Sequence, residues 1–307
     1  MVVLPVRCIG TARASQSEEP PFKRLYGAIL AVGKNRERQM NLREKAKKLQ
    51  EILAQMESVL VAYSGGADST LLLRLAQDTL GDRVLAITAK SAIYPQEEIE
   101  ASQRVAKKLG VKHIIIETEE LTDPNFVGNP PDRCYYCKRE LFSRLMAIAR
   151  ENNLNYVLDG SNYDDLGDLR PGMKAAQEFG VRSPLQEAKF TKDDIRRLSQ
   201  LLGLPTWDKP SLACLASRLP YGNRITEDVL SKIQQAEAFV RNLGLTQVRV
   251  RHHNQIARIE VLKEEIPVLL QKAEEIVLKL KELGYLYVTV DLQGYRTGSM
   301  NEAFRND

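Results

Sequence analysis

The residues with the clearest chemical meaning follow the apolar run 59–63 directly, in the sequence Ser64-Gly65-Gly66-Ala67-Asp68-Ser69. An apolar strand that turns here into a helix would point backbone N–H groups at one spot, and such a spot favours an anion. Glycine at positions 65 and 66 lets a phosphate come close to the backbone. No lysine follows the glycines, so this is not the Gly-x-x-x-x-Gly-Lys loop of kinases and GTPases.

Residues 64–69 resemble the Ser-Gly-Gly-x-Asp-Ser signature of the ATP pyrophosphatase (PP-loop) superfamily, whose members split ATP into AMP and pyrophosphate. We call these six residues the PP-loop. The resemblance implies that Mg²⁺ binds near Asp68. It also implies that ATP binds through Ser64, Gly65, Gly66, Asp68 and Ser69. The alternative is an ordinary strand–turn–helix with a polar N-cap.

Three of the four cysteines form a second group. Cys134 and Cys137 are separated by two residues at the predicted start of a helix, Cys214 lies alone further on, and Cys8 falls in the N-terminal tail. So few cysteines in a chain without a secretion signal argue against a disulfide scaffold. The two-residue spacing lets the thiolates of Cys134 and Cys137 face one centre.

Three interpretations of these cysteines remain open. They have no shared role, they belong to a zinc site, or they hold an iron–sulfur cluster. A zinc site normally needs a fourth Cys or His, and none of the three histidines has ligand spacing to the cysteines. Three cysteines would leave one iron of a [4Fe–4S] cluster open, which is useful when a ligand such as hydrosulfide must be held and delivered. Together with an ATP-adenylating loop, this points to sulfur insertion into an activated carbon.

Short apolar runs alternate with helical patterns in the first half of the chain. Strands are predicted at residues 58–63, 84–89, 112–117 and 155–159, with helices at about 68–79, 95–109 and 136–152 between and after them. This alternation is typical of βαβ units and predicts an α/β fold with a parallel sheet covered on both faces. Ligands of such sheets bind at the carboxyl ends of the strands, where the PP-loop falls.

The pattern changes after residue 205. A helix at about 226–242, strands at 248–252 and 256–261, a long helix at about 263–283 and a strand at 286–292 predict a smaller C-terminal α+β domain. We therefore expect a disordered tail over residues 1–39 and a PP-loop domain over residues 40–205. Residues 206–307 are expected to form a domain for substrate binding, sulfur transfer and oligomerisation. The PP-loop domain would begin with an amphipathic helix whose apolar stripe is Leu42, Ala46, Leu49 and Leu53.

Charge and hydropathy limit the possible partners. The net charge of +4 is concentrated in residues 1–50, which hold eleven Lys or Arg and four Glu, a net +7, so the remaining residues carry −3. A body of this charge argues against binding to nucleic acid. No apolar run approaches the roughly 20 residues that cross a bilayer, and the tail lacks the core of a signal peptide. These features predict a cytoplasmic enzyme with a small-molecule substrate.

Several longer motifs resemble LarE, the family of ATP-dependent sulfur transferases that helps to make the nickel-pincer nucleotide of lactate racemase. The similarity runs from about residue 42 to 305. The PP-loop is shared with the whole superfamily, whereas the segments around Cys214 and near the C-terminus are more specific to this family. The matching segments are residues 64–69, 159–165, 170–172, 209–218, 249–252 and 291–301.

The resemblance implies a reaction and a set of residues. ATP would activate a carboxylate of pyridinium-3,5-biscarboxylic acid mononucleotide as the adenylate, and sulfur would then displace AMP. In one branch of the family the cysteine at the Cys214 position gives up its own sulfur. In another, cysteines matching Cys134, Cys137 and Cys214 hold a [4Fe–4S] cluster that carries an extra sulfide, and the Cys134–Cys137 pair places this chain in that branch. Family members tend to be homo-oligomers.

Further residues are assigned from the same motifs. Cys214, Asp68 and Arg218 are the predicted catalytic residues. Gly160 and Asn162 are expected to join the PP-loop in binding ATP. Because guanidinium groups suit phosphate and carboxylate, the expected substrate-binding residues are Ser217, Arg249, Arg251 and Arg296. Asp164 and Asp165 bind metal or ribose, or else cap the next segment.

Three other functions remain as alternatives. A tRNA thiolase can combine a PP-loop with a three-Cys cluster, but its substrate demands a basic surface. An ammonia-using synthetase resembling GMP synthetase would not need the three cysteines. A nucleotide-binding regulatory module with structural zinc or a structural cluster is the alternative without enzymatic activity. The content of iron and acid-labile sulfide separates the cluster-dependent enzymes from the others.

Overall fold

The computed structural model describes residues 36–167, 171–210 and 213–296, with side chains from residue 41 onward. The expected tail over residues 1–39 lies almost wholly outside these ranges, as do residues 170, 211–212 and 297–301 of the matching motifs. No helix in the described parts of the chain is both long enough and apolar enough to cross a membrane.

The first half forms a four-stranded parallel sheet with the strand order β3-β2-β1-β4. β1 (Val59–Ala62) lies between β2 (Val84–Lys90) and β4 (Tyr156–Leu158), and β3 (Lys112–Glu117) is an edge strand. The crossover helices are α2 (Ala67–Leu80), α3 (Gln96–Lys108) and α5 (Arg133–Glu151), with the short α4 (Pro124–Val127) before α5. The predicted α/β fold with a parallel sheet is confirmed.

Apolar layers cover both faces of this sheet. On one face α1 (Arg36–Met56) packs against α2, and its predicted stripe is buried, since Leu42, Ala46, Leu49 and Leu53 are at most 1% exposed. On the other face α5 contributes Phe142 and Leu145 to a second cluster around Leu60 and Val157. Burial on both faces explains why β1 and β2 read as continuous apolar runs rather than as alternating ones.

Three helices that follow β4, within the expected PP-loop domain, were not predicted: α6 (Pro171–Glu178), α7 (Pro184–Glu187) and α8 (Lys192–Leu201). The sequence does carry a signal for α8. Thr191 is its N-cap and forms a reciprocal capping box with Asp194, with the two side chains satisfying each other's backbone N–H groups. α8 packs against α2, which brings the first residues of α8 close to the PP-loop.

The second half forms a separate three-stranded sheet. β5 (Arg249–His253) pairs antiparallel with β6 (Ile256–Glu260), and β6 pairs parallel with β7 (Tyr287–Val290). α9 (Glu227–Asn242) covers this sheet and buries Ala236 and Val240 in its core. The predicted smaller α+β region is confirmed.

The prediction of a single long helix at about 263–283 is wrong. The segment contains two helices, α10 (Ile266–Gln271) and α11 (Ala273–Glu282), separated at Lys272. Pro267 lies in the first turn of α10, where a residue without an N–H is tolerated and where an α-helix cannot extend further back. The Lys272 N–H bonds the carbonyl of Leu269, a tightened turn that ends α10.

The boundary expected between residues 205 and 206 stays a prediction. One apolar cluster joins residues on both sides of it, packing Ile93 and Phe126 of the first domain against Leu215 and Ile233. The segment that carries Cys214 therefore packs against the loop after β2 and against α4, in a cluster separate from those that cover the parallel sheet.

Candidate active site

The PP-loop turns from β1 into α2 with a geometry that requires glycine. Gly65 has a φ of +70°, and a Cβ atom there would lie 2.9 Å from the Cβ of Ser102. Gly66 is the N-cap of α2, and it offers no side chain to the N–H groups of the first helical turn. These donors, together with the helix dipole, suit the phosphates of a nucleotide.

Ser64, Ser69 and Gly160 form the wall beside this turn. The two serine hydroxyls lie 3.0 Å apart. Gly160 follows β4, and a Cβ atom on it would lie 3.0 Å from the backbone nitrogen of Ser69. The predicted nucleotide-binding residues of the two motifs are thus neighbours in the structure.

The carboxylates that follow Gly160 hold the backbone. Asp165 accepts a hydrogen bond from the N–H of Asn162, and Asp164 accepts one from the N–H of Lys192. The side-chain oxygen of Asn162 accepts from the N–H of Asp164, and Asn162 is 4% exposed. Of the two roles predicted for Asp164 and Asp165, the structure shows the capping contacts.

Two lysines that the sequence interpretation missed reach the PP-loop from distant parts of the chain. The ammonium nitrogen Nζ of Lys192 lies 2.6 Å from each carboxylate oxygen of Asp68. The Nζ of Lys209 donates to the carbonyl of Gly65 at 3.0 Å and pairs with Glu98 at 2.6 Å. Both had local signals, because Lys192 follows the N-cap of a capping box and Lys209 opens the motif that contains Cys214.

Two of the three predicted cluster cysteines lie together. Cys137 on α5 and Cys214 belong to the same packed cluster and interact electrostatically. Burial, with the charges of Cys214 and Glu120, raises the pKa of the Cys137 thiol to about 12. The Tyr94 hydroxyl lies 3.9 Å from its Sγ. Cys134, one helical turn earlier on α5, is exposed.

The cysteine side chains meet only part of what a soft metal or an iron–sulfur cluster requires. Thiolates are the ligands that such centres select, and two of them meet here. In the described parts of the chain, no three Cys, His, Asp or Glu side chains converge closely enough to hold a metal ion. A site that used all three cysteines would need Cys134 to turn toward Cys137 and Cys214.

The Cys214 segment is fixed from behind by Arg218. The Arg218 guanidinium donates to the carbonyls of Ala213 and Cys214 and to the hydroxyl of Ser217. It also forms a two-point pair with Glu237 and is only 1% exposed. Ser217 in turn donates to the Cys214 carbonyl at 2.7 Å. The predicted catalytic role of Arg218 stays a prediction, and its contacts are those of a residue that positions the Cys214 loop.

Arg249 and Arg251 lie two residues apart on β5, the spacing that places them on one strand face. Both are buried. Arg251 forms a two-point pair with Glu260 and donates to the carbonyl of Ser217 at 2.9 Å. Burial and the nearby charge of Arg218 lower the pKa of Arg249 to about 10. β5 therefore carries a buried positive charge to the Cys214 loop.

Arg296 lies near the same sheet. Its guanidinium is 3.8 Å from a carboxylate oxygen of Asp291, and it donates to the Gly294 carbonyl at 3.4 Å. About a third of its side chain is exposed, more than for Arg249 or Arg251.

A relative of named function decides the family. Over 251 residues the chain is 43% identical to the pyridinium-3,5-bisthiocarboxylic acid mononucleotide synthase of Lactiplantibacillus plantarum, and the match covers 81% of this chain and 91% of the relative. The chain belongs to this synthase family. The LarE family predicted from the sequence is thereby confirmed, and with it the prediction that the chain is an enzyme.

Two uncharacterized proteins extend the synthase similarity. One from Synechocystis sp. is 45% identical over 262 residues, which covers 85% of this chain and 98% of the relative. One from Methanocaldococcus jannaschii is 32% identical over 257 residues, which covers 84% of this chain and 95% of the relative. The family model for the queuosine biosynthesis protein QueC matches residues 58–126, the part that runs from β1 through the PP-loop to α4.

Proposed function

We propose that this member of the synthase family is an ATP-dependent sulfurtransferase. It adenylates a carboxylate of pyridinium-3,5-biscarboxylic acid mononucleotide and converts it to a thiocarboxylate. One observation supports this most directly: Lys209 bonds the PP-loop at Gly65 and lies five residues before Cys214. A nucleotide-activating loop and a sulfur-bearing residue are therefore connected through one short segment.

In the first step, a substrate carboxylate oxygen attacks the α-phosphorus of ATP, and pyrophosphate leaves. The open N–H groups at the start of α2 would hold the phosphates, and Ser64, Ser69, Gly160 and Asn162 would shape the site. Asp68 would hold a magnesium ion, which would compensate the charge of the leaving pyrophosphate. The donors are fixed before the charge develops, which is the condition for effective electrostatic stabilisation.

In the second step, a sulfur nucleophile attacks the acyl carbon of the adenylate, and AMP leaves with the former carboxylate oxygen. Cys134, Cys137 and Cys214 would hold a [4Fe–4S] cluster, which when bound supplies an iron that carries the sulfide. Cys137 and Cys214 already lie together. The rigid support of the Cys214 loop by Arg218 and Ser217 keeps its thiol at one place relative to the PP-loop.

The substrate carries phosphate and carboxylate groups, so its site needs positive charge. Arg249, Arg251 and Arg296 would supply it. Arg251 contacts the Ser217 backbone, so the charged face of β5 adjoins the sulfur-bearing loop. Assembly into a homo-oligomer remains a prediction.

The experiment is purification without oxygen, followed by measurement of iron, acid-labile sulfide and turnover. We expect iron and sulfide in the wild-type protein and their loss in Cys134→Ala, together with loss of multiple turnover of the mononucleotide. Cys8→Ala is the matched control and should keep both. If Cys134→Ala retained undiminished multiple turnover, the proposal that a cluster carries the sulfide would be wrong.

Intact-protein mass separates the remaining possibilities. If Cys214 lost the mass of H₂S during a single turnover, the protein would donate its own sulfur. If tRNA were thiolated or ammonia incorporated while the mononucleotide was not, the proposed substrate would be wrong.

A further inference from the structure

The ammonium of Lys192 occupies the place at Asp68 where a metal ion is expected. It lies 2.6 Å from both carboxylate oxygens, so each oxygen already has a cationic partner. Asp68 is the PP-loop carboxylate, in the first turn of α2. A metal ion that binds this carboxylate must compete with Lys192.

We propose that Lys192 is a phosphate-binding residue that exchanges partners when the nucleotide binds. Without nucleotide it neutralises Asp68. With nucleotide and metal it leaves the carboxylate to the metal ion and binds the β- and γ-phosphates, the part of ATP that leaves as pyrophosphate. This inference rests on the proposed function for its substrate, ATP, but not on the identity of the group that is adenylated.

The backbone of Lys192 is fixed, and its long side chain has other rotamers in which the ammonium leaves Asp68. Its backbone N–H is held by Asp164 at 2.8 Å, and the helix that it begins is closed by the Thr191 capping box. The ammonium can therefore swing on its four-carbon stem without a change in the backbone.

Because the Lys192–Asp68 ion pair is partly exposed to water, breaking it costs little free energy. The Lys192 and Asp68 side chains are 29% and 25% exposed. An ion pair with this access to water contributes little to stability, about 0–1 kcal/mol. A phosphate group with several charged oxygens can thus replace the carboxylate as the partner of Lys192.

Lys209 has a different role at the same loop. Its ammonium is already paired with Glu98 at 2.6 Å and also binds a backbone carbonyl of the loop. Metal binding at Asp68 removes the partner of Lys192 but not that of Lys209. Of these two lysines, Lys192 is the one whose charge the metal releases for the nucleotide.

The test uses two binding measurements whose changes have opposite signs. Binding of Mn²⁺ to the nucleotide-free protein is followed by water proton relaxation, and binding of a non-hydrolysable ATP analogue in the presence of Mg²⁺ by calorimetry. In Lys192→Met we expect Mn²⁺ affinity to rise about tenfold, because its competitor is gone, and ATP affinity to fall about tenfold. The rise should vanish when Asp68→Asn is added.

Lys45→Met is the matched control, because Lys45 also forms a 2.6 Å pair at the start of α8 but away from the PP-loop. It should change neither affinity. Lys192→Arg keeps the charge and should retain more ATP affinity than Lys192→Met. A structural role for Lys192 would lower both affinities together.

The proposal is overturned by any of three results: no rise in Mn²⁺ affinity, unchanged ATP affinity, or equal effects in Lys45→Met. Neither measurement involves the mononucleotide or sulfur. If the proposed sulfur transfer fails while the opposite shifts are seen, this inference stands alone.

Discussion

Arg218 and Glu237 form a two-point ion pair in which both side chains are only 1% exposed, with N–O distances of 2.8 and 3.0 Å. The remaining nitrogen of the guanidinium holds the carbonyls of Ala213 and Cys214. Glu237 lies on α9, and the Cys214 loop packs against the end of β2. The pair therefore connects the C-terminal domain to the sulfur-bearing loop.

Glu237→Gln should strongly destabilise the protein at neutral pH. It leaves Arg218 buried without its counter-charge, and breaking one partner of a buried ion pair costs about 3–5 kcal/mol. Chemical denaturation followed by fluorescence or circular dichroism would show the change. Glu282→Gln, which removes an exposed pair with Lys279, is the control and should cost less than about 1 kcal/mol. Equal effects of the two substitutions would contradict the structure.

The effect of Glu237→Gln should depend on pH. Burial alone would raise the pKa of Glu237, but the charge of Arg218 and its hydrogen bonds outweigh this and hold the pKa below its ordinary value of 4.5. A depressed pKa gives stability that is present above 4.5 and lost as the pH falls from there through the folded-state pKa. The difference in the free energy of unfolding between wild type and Glu237→Gln should therefore become smaller below pH 4.5. A constant difference from pH 7 to 3.5 would argue against an ionised Glu237.

Two arginines that share Glu260 should differ in their importance. Arg251 is 5% exposed and binds Glu260 at two points, whereas Arg258 is about a third exposed and makes one bond of 3.1 Å. We expect Arg251→Met to lower the free energy of unfolding by about 3 kcal/mol and Arg258→Met by less than about 1 kcal/mol. Thermal or denaturant unfolding measures both. The reverse order would show that the β5 charge is not structurally coupled to Glu260.

Gly160→Ala should impair ATP binding. Its new methyl group would lie 3.0 Å from the nitrogen of Ser69, a backbone atom that has little room to move. The Gly160 loop would have to withdraw from the PP-loop, and we expect ATP affinity to fall about tenfold, as when a single strong contact is lost. Gly167→Ala is the control, since no atom of the described residues lies within 4 Å of a Cβ there. Calorimetric titration with ATP would show whether the two variants behave alike.

The cysteines should differ in reactivity toward iodoacetamide in protein without bound metal. Because only the thiolate reacts, the pKa of about 12 makes Cys137 about a thousandfold slower at pH 8 than a thiol with the ordinary value of 9.0. Its rate should rise about tenfold per pH unit toward alkaline pH. Cys134 is exposed and should be labelled first. Peptide mass spectrometry resolves the sites, and fast labelling of Cys137 at pH 8 would contradict its burial.

Local pattern was sufficient for much of the fold. β1 is an apolar run followed by Gly65 and Gly66, and β2 is one preceded by Gly81. The stripe from Leu42 to Leu53 repeats at helical spacing, so the hydrophobic pattern alone predicted the strands and this helix. Such patterns report burial, which a single element shows by itself. The break at Lys272 was missed because the apolar spacing continues across it.

The contacts within the candidate active site could not be predicted from local sequence patterns. Lys192 is 124 residues from Asp68, and Lys209 is 144 residues from Gly65. Their approach depends on how α8 packs against α2 and on where the chain returns to the sheet. Likewise, the spacing of Arg249 and Arg251 predicted a shared strand face, but not that Glu260 would bind Arg251 there.

The segment from Lys209 to Cys214 is anchored at both ends. Lys209 bonds the PP-loop, and the residue after Cys214, Leu215, bonds the Ile93 carbonyl through its backbone N–H at 2.8 Å. An acyl adenylate is consumed by water unless another nucleophile arrives first. For the proposed sulfur transfer, a short anchored segment would make the attack of sulfur an intramolecular step with a high effective molarity. Its length would then set the competition between hydrolysis and thiolation, so that lengthening it should waste ATP without slowing its cleavage.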